Sequence, residues 1–138
     1  MVNLAFREDA PDRESGKAAY NELVSLSPDR NYNLILMDKN LGDVEVIKKD
    51  LMETIYPKST HMDFNIAGSL NIAASGTKAR IILTGLGADE IFSGYSRYRI
   101  AYKRAGFIEL EKEMIFDMER LWVRNLGRDD RAIACRAK

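Results

Sequence analysis

Short apolar runs alternate with an amphipathic segment in the first part of the chain, and this alternation constrains the fold more than any other feature. Val2 to Phe6 and Tyr32 to Met37 both have the composition of buried strands. Between Glu14 and Leu26, apolar residues recur at helical spacing. A strand–helix–strand order favours a parallel sheet with helices packed on its faces. The sequence therefore predicts an α/β fold.

Later segments extend the pattern. A second helical stripe has apolar residues three and four positions apart, namely Val44, Ile47, Leu51 and Ile55. Residues 61–74 carry a weaker helical pattern, and Arg80 to Thr84 predicts a third strand of the same parallel sheet. Beyond Gly106 we expect a long helix whose apolar stripe is core and is made of Phe107, Leu110, Met114, Met118, Leu121 and Trp122. Its charged side chains are expected to be solvated, namely Glu109, Lys112, Glu113, Asp117 and Arg120.

The composition limits the classes of function. With 138 residues, the chain has the length of one domain or part of one. Its 21 lysine and arginine residues balance 21 acidic ones, which argues against binding to nucleic acid. There is no apolar run of the roughly eighteen residues that a membrane span requires, and no leader pattern. We expect a cytoplasmic protein with no membrane association.

Cysteine and histidine are too scarce for several kinds of site. Cys135 is the single cysteine, which excludes an internal disulfide and fits a reducing compartment. His61 is the single histidine, so neither a zinc site with His or Cys pairs nor a Ser/His/Asp relay is expected.

The segment Ile81 to Tyr98 reads IILTGLGADEIFSGYSRY and is the most informative part of the chain. The predicted strand runs into glycines at positions 85 and 87, where ligands bind in open parallel sheets. Glycines in this position also serve tight turns that bind nothing. Asp89 is similarly open to two interpretations, as a residue that caps a helix or as a metal ligand.

The motif that follows the predicted strand resembles a segment of the C-terminal synthase domain of asparagine synthetases and related amidotransferases. It reads Thr-Gly-x-Gly-Ala-Asp-Glu-x-Phe-x-Gly-Tyr-x-Arg-Tyr. The resemblance continues in Asn125 to Arg131, and upstream in Val2 to Phe6 and the turn at residues 11–13. It is poor between residues 38 and 70. It implies one partial synthase domain over residues 1–138, with a partial parallel sheet of the adenine nucleotide alpha hydrolase-like kind and a helical C-terminal part.

The resemblance also implies an activity, which is the ATP-dependent, glutamine-hydrolysing amidation of aspartate to asparagine by a carbon–nitrogen ligase of the glutamine amidotransferase type. ATP and Mg²⁺ are the implied cofactors. Phe6 would lie at the adenine, and Thr84, Gly85 and Gly87 would face the nucleotide. Asp89 matches the acid that helps to hold Mg-pyrophosphate, so the metal interpretation gains over capping.

The chain departs from the family pattern in ways that affect catalysis. It contains neither the Ser-Gly-Gly-x-Asp-Ser pyrophosphate loop nor the Arg-x-Pro-Phe-Leu-Asp segment, and it has no glutaminase domain with a cysteine nucleophile. Leu86 stands where the family usually has an acid, so no catalytic residue is assigned. We therefore expect weak Mg-ATP binding and incomplete catalysis.

A second class of function stays open at this point. The family's first strand would lie in mid-sheet, and without it the sheet has an unpaired edge at which a protein partner can dock. The alternative is thus a noncatalytic nucleotide-binding or protein-interaction module, and ATP-dependent release of pyrophosphate separates it from an enzyme. A generic flavodoxin-like domain explains the strand–helix alternation but not the motif that follows Thr84.

Overall fold

The computed structural model describes residues 1–135 and divides the chain into two compact units. The first unit contains Met1–Arg80 together with the residues from Arg128 onward, and the second contains Ile81–Gly127. None of the helices in residues 1–135 combines the length and the apolar character that crossing a bilayer would need.

The first unit contains a parallel sheet of two strands, β1 (Val2–Ala5) and β2 (Ile35–Asp38). The register pairs Val2 with Ile35 and Ala5 with Asp38. Helix α1 (Pro11–Leu26) connects the two strands and begins with proline, whose fixed φ suits the first turn of a helix. The predicted α/β class, the parallel pairing and the first helix are therefore confirmed, with strand ends that differ by a few residues.

Arg13 joins α1 to both strands. Its buried guanidinium donates hydrogen bonds of 3.0 Å to the backbone carbonyl of Asn3 in β1 and of 3.0 Å to that of Met37 in β2. It also pairs with the carboxylate of Asp38. Buried charge is tolerated only where it is paired and hydrogen-bonded, and here the pairing fixes the helix against the sheet.

Three further helices build most of the core of the first unit: α2 (Leu41–Val46), α3 (Lys48–Ile55) and α4 (His61–Ser75). The predicted second helix is therefore two helices, because the chain turns at Ile47. The buried core residues are Val44, Leu51, Ile55, Phe64, Ala67, Ile72 and Ala132. Most of the predicted apolar stripe thus faces the core, although the helix that carries it is broken.

The prediction of a third strand at Arg80 to Thr84 is wrong. These residues form no strand, and within residues 1–135 the one sheet joins β1 to β2. Ile81 and Leu83 are 81% and 94% exposed. An apolar, β-branched run favours extended backbone, but a strand also needs a neighbour that pairs with its N–H and C=O groups. This run lies where the first unit passes into the second.

The second unit contains α5 (Ala88–Ile91), α6 (Ser96–Leu121) and a π-helical turn (Trp122–Leu126). Helix α6 is interrupted at Ala105 and Gly106, and Gly106 has φ of +70°. The last described helix, α7 (Gly127–Ala134), contributes Ala132 to the core of the first unit.

The prediction that the apolar side chains of the second half of α6 are core is wrong in part. Phe107 is 74% exposed and Trp122, just beyond the helix, is 77% exposed. Conversely Asp117, which was expected on the solvated face, is buried. Helical spacing identifies a stripe, but it does not show which neighbour covers that stripe.

Candidate functional site

The candidate site is built on the short segment that joins Thr84 to α5. The Thr84 hydroxyl accepts a hydrogen bond from the backbone N–H of Leu86 at 3.4 Å, and the Gly85 carbonyl accepts one from Ala88 at 3.1 Å. Gly87 has φ of +89°, a conformation that side-chain-bearing residues rarely adopt. Glycine at position 87 is therefore required by the turn itself, whereas a Cβ at Gly85 would meet open space.

Adjacent acids in α5 have opposite surroundings. Asp89 is exposed, and its carboxylate makes no hydrogen bond or ion pair with residues 1–135. Glu90 is 4% exposed, and its carboxylate accepts a hydrogen bond of 3.0 Å from the Tyr95 hydroxyl. Burial and then the bond to Glu90 raise the pKa of Tyr95 above its ordinary value. Asp89 is thus free for a ligand, while Glu90 serves the fold.

The C-terminal half of the motif is anchored by Asp117 of α6. Asp117 accepts hydrogen bonds from the Tyr98 hydroxyl at 2.7 Å and from Nε of Arg97 at 2.9 Å. Arg97 also stacks over the Tyr95 ring, with 4.2 Å from its central carbon to the ring centre. Burial by itself raises the pKa of Asp117, but the bonds from Tyr98 and Arg97 outweigh it and hold that pKa below its ordinary value.

Asp117 is the residue of this cluster that sequence reasoning missed. A signal was present, because Asp117 lies three positions after Met114 and four before Leu121, both on the apolar stripe. An acid inside such a stripe is typical of a buried, paired charge. Its partners Arg97 and Tyr98 belong to the motif itself. The second half of α6, beyond the break at Gly106, therefore supports the motif through Asp117.

Asp89 fits a magnesium ion that also carries phosphate, and it does not fit a metal held by protein alone. Within the described residues, no group of three or more histidine, cysteine, aspartate or glutamate side chains could hold a metal. Magnesium in nucleotide sites usually takes one or two carboxylates and completes its shell with phosphate and water. Asp89 supplies one free carboxylate beside a glycine turn, which is the smallest number of carboxylates that such a magnesium site takes from a protein.

The predicted nucleotide-binding residues fall into different units. Thr84, Gly85, Gly87 and Asp89 lie within one turn of the second unit. Phe6 belongs to the first unit, follows β1 and packs half-buried against the core. It lines an open hollow of about 460 Å³, together with Leu4, Ala5, Arg7, Asp9, Ala10, Pro11 and Asp12.

Comparison with known proteins identifies the family. The asparagine synthase family model matches residues 44–136, which is more than half of the chain. The match includes the whole Thr84 to Tyr98 motif and the cluster around Asp117. The chain belongs to the asparagine synthase family, and the resemblance read from the sequence is confirmed.

Relatives cover nearly the whole chain. A protein from Gallus gallus and one from Homo sapiens, both named asparagine synthetase domain-containing protein 1, are 35% and 32% identical over 94% and 93% of this chain. A Drosophila melanogaster protein, also named as asparagine synthetase domain-containing, is 35% identical over 97% of it. The sequence motifs had likewise suggested particular similarity to asparagine synthetase domain-containing protein 1.

The chain is much shorter than these relatives. The chain spans 23% of the Gallus gallus protein, 22% of the human protein and 27% of the Drosophila melanogaster protein. The names of these relatives state a domain and no reaction. No solved structure gave a significant match. Family membership is therefore established, without a reaction for this chain.

Proposed function

We propose that this chain carries part of the ATP-handling surface of an asparagine synthase domain, and that it binds Mg-ATP weakly without completing asparagine synthesis. The observation that carries the proposal is the free carboxylate of Asp89, which follows the Gly87 turn inside the family-matched region. Both units would be parts of one synthase domain over residues 1–138, with the β1–β2 pair belonging to an adenine nucleotide alpha hydrolase-like sheet.

The chemistry of the family explains why a carboxylate is needed there. A carboxylate side chain is a poor electrophile, and ATP supplies a leaving group by adenylating aspartate before ammonia from glutamine displaces AMP. Mg²⁺ would supply neutralisation of the charge on the departing pyrophosphate. Asp89 would hold that ion, Thr84, Gly85 and Gly87 would face the phosphates, and Phe6 would lie at the adenine.

Two features of the sequence support binding without turnover. Leu86 occupies the position of the family's acid and cannot accept a proton near the attacking ammonia. The chain also contains no Ser-Gly-Gly-x-Asp-Ser run to cradle the triphosphate. The acid and the triphosphate loop contribute to substrate affinity and to the positioning of the reactants. Glutamine-dependent synthesis is therefore not expected from these residues.

Calorimetry with Mg-ATP tests the proposal. We expect a dissociation constant for Mg-ATP on the order of 1 mM, equivalent to about −4 kcal/mol. Asp89→Asn should weaken Mg-ATP binding by about tenfold. Asp29→Asn is the matched control, because it removes another exposed carboxylate, from the turn after α1. No pyrophosphate should be released with aspartate and glutamine present. Identical affinities for the wild type and Asp89→Asn would refute the role of Asp89.

A noncatalytic interaction module is the second candidate. It is favoured by the sheet, because a sheet of two strands leaves one edge of β1 and one of β2 without a strand partner among residues 1–135. Such an edge can accept a strand from another protein. Absence of Mg-ATP binding, combined with a defined complex made through β1 or β2, would favour this function. The cytoplasmic location expected from the sequence stays a prediction.

A further inference from the structure

Gly94 lies directly against the side chain of Asp89. Its backbone N–H donates a hydrogen bond of 2.8 Å to the Asp89 carbonyl, which closes the turn after α5. A Cβ at position 94 would overlap Oδ1 of Asp89 and would lie 3.0 Å from Cγ and 3.1 Å from Cα of the same residue. The Asp89 carboxylate can occupy its present place because residue 94 has no side chain.

Backbone conformation does not explain the glycine. The left-handed conformation in this turn belongs to Ser93, with φ of +57°, whereas the glycines with positive φ in the described residues are Gly87 and Gly106. Alanine could therefore adopt the backbone of residue 94 without the strain that it would meet at Gly87. The obstacle to alanine at position 94 is the Asp89 side chain in its present position.

The turn cannot simply open to admit a methyl group. Just beside the contact, Glu90 and Tyr95 are joined by a hydrogen bond of 3.0 Å, and the Tyr95 ring lies under Arg97. Arg97 is in turn fixed by the buried Asp117. Because both ends of the turn are held, the exposed Asp89 side chain is the group that would move.

We propose that Gly94 is a positioning residue for the Asp89 carboxylate, so that a side chain at position 94 displaces the oxygen offered to a nucleotide-bound magnesium ion. The inference rests on the proposed Mg-ATP function. Magnesium requires its ligands near 2.0–2.1 Å in octahedral geometry, so a change of side-chain rotamer is enough to lose the contact. Residues that orient a metal ligand typically contribute about 10- to 100-fold to metal affinity.

The experiment compares Gly94→Ala with the wild type by titrating ¹⁵N-labelled protein with ATP and following amide resonances, once with Mg²⁺ and once with EDTA. We expect Gly94→Ala to weaken Mg-ATP binding by about tenfold or more and to leave ATP binding in EDTA unchanged. Ser96→Ala is the control, because it changes an exposed side chain two positions further along. Thermal unfolding measures the stability of each variant. If the role of Gly94 is purely structural, Gly94→Ala should lose stability and keep the wild-type affinity for Mg-ATP.

A measurement on the unmutated protein covers the case in which Gly94→Ala does not fold. Mn-ATP should broaden the Gly94 amide resonance about as strongly as that of Asp89, since the two residues are in contact. Broadening at Asp89 without broadening at Gly94 would overturn the inference, as would wild-type Mg-ATP affinity in folded Gly94→Ala. If Asp89→Asn weakens Mg-ATP binding and Gly94→Ala does not, this inference alone fails. If the wild type does not bind Mg-ATP, the proposed function fails with it.

Discussion

Arg128 of α7 donates a hydrogen bond of 2.8 Å from Nη1 to Oδ1 of Asp63, a residue 65 positions earlier at the start of α4. The same guanidinium bonds to Asp129 at 2.6 Å, and Asp63 also accepts from the Thr60 hydroxyl at 2.7 Å. The side chains of Arg128 and Asp63 are almost completely buried. A buried charge network therefore joins the last described helix of the chain to the start of α4, within the first unit.

Replacing Arg128 should destabilise the first unit strongly. Arg128→Ala would leave two buried carboxylates, Asp63 and Asp129, without their cation, and breaking a buried pair in this way costs about 3–5 kcal/mol. Urea denaturation followed by circular dichroism measures the change in the free energy of unfolding. Lys17→Ala, which breaks the exposed pair with Glu14, should cost less than about 1 kcal/mol. Similar effects of the two substitutions would contradict the account.

The same network predicts a loss of stability in acid. Burial raises the pKa of Asp63, but hydrogen bonds from Thr60 and Arg128 outweigh it, so that the pKa lies below the ordinary value of 3.8. A carboxyl whose pKa is lowered on folding stabilises the protein above its unfolded-state pKa, and the contribution disappears as the pH falls through the folded-state pKa. The free energy of unfolding should therefore fall below about pH 4, with a shallower slope in Asp63→Asn. Parallel curves for the two proteins would refute this.

In the second unit, Tyr98→Phe tests whether Asp117 supports the motif. The substitution removes a buried hydroxyl that donates to a charged acceptor at 2.7 Å, and such bonds contribute about 1.5–3 kcal/mol. Tyr102→Phe is the control, because Tyr102 is partly exposed and its hydroxyl makes no hydrogen bond with residues 1–135. Hydrogen exchange of amides in α6 measures both variants. Equal protection in both would show that Asp117 does not stabilise the motif.

Leu86→Glu tests the role of the family's acid. In this chain we expect no asparagine from aspartate, ATP and ammonium after the substitution, since proton transfer worth roughly 10²–10⁴-fold in rate cannot replace the positioning of reactants. In a protein that joins this segment to a pyrophosphate loop, the same change should raise ammonia-dependent synthesis. Robust synthesis with leucine at position 86 would show that the acid is dispensable.

Local sequence signals predicted the first part of the fold well. The β1–α1–β2 unit follows from apolar runs and helical spacing, both of which involve residues close in sequence. The strand predicted at Arg80 to Thr84 failed because strand formation depends on pairing with a distant segment, which composition does not encode. The break at Ile47 was missed for a related reason, since an apolar stripe continues across it in Leu51 and Ile55.

The candidate site shows the same division between local and distant information. Gly87 has a positive φ and Asp89 is exposed at the start of α5, and the binding of a ligand by this turn stays a prediction. The burial of Glu90 and Asp117 could not be read from charge alone. Glu90 is bonded to Tyr95 five positions later, and Asp117 is bonded to Tyr98 nineteen positions earlier, on the other side of the break in α6. Family resemblance identified the motif, and side-chain contacts separate its exposed acid, Asp89, from its buried acid, Glu90.

The most direct test of the central claim is the affinity for ATP measured with Mg²⁺ and with EDTA, in the wild type and in Asp89→Asn. If the free carboxylate of Asp89 holds a nucleotide-bound magnesium ion, Mg²⁺ should strengthen ATP binding to the wild type by about tenfold. Asp89→Asn should bind ATP equally with and without Mg²⁺, at the affinity of the wild type in EDTA. An equal gain from Mg²⁺ in both proteins, or no gain in the wild type, would contradict the account.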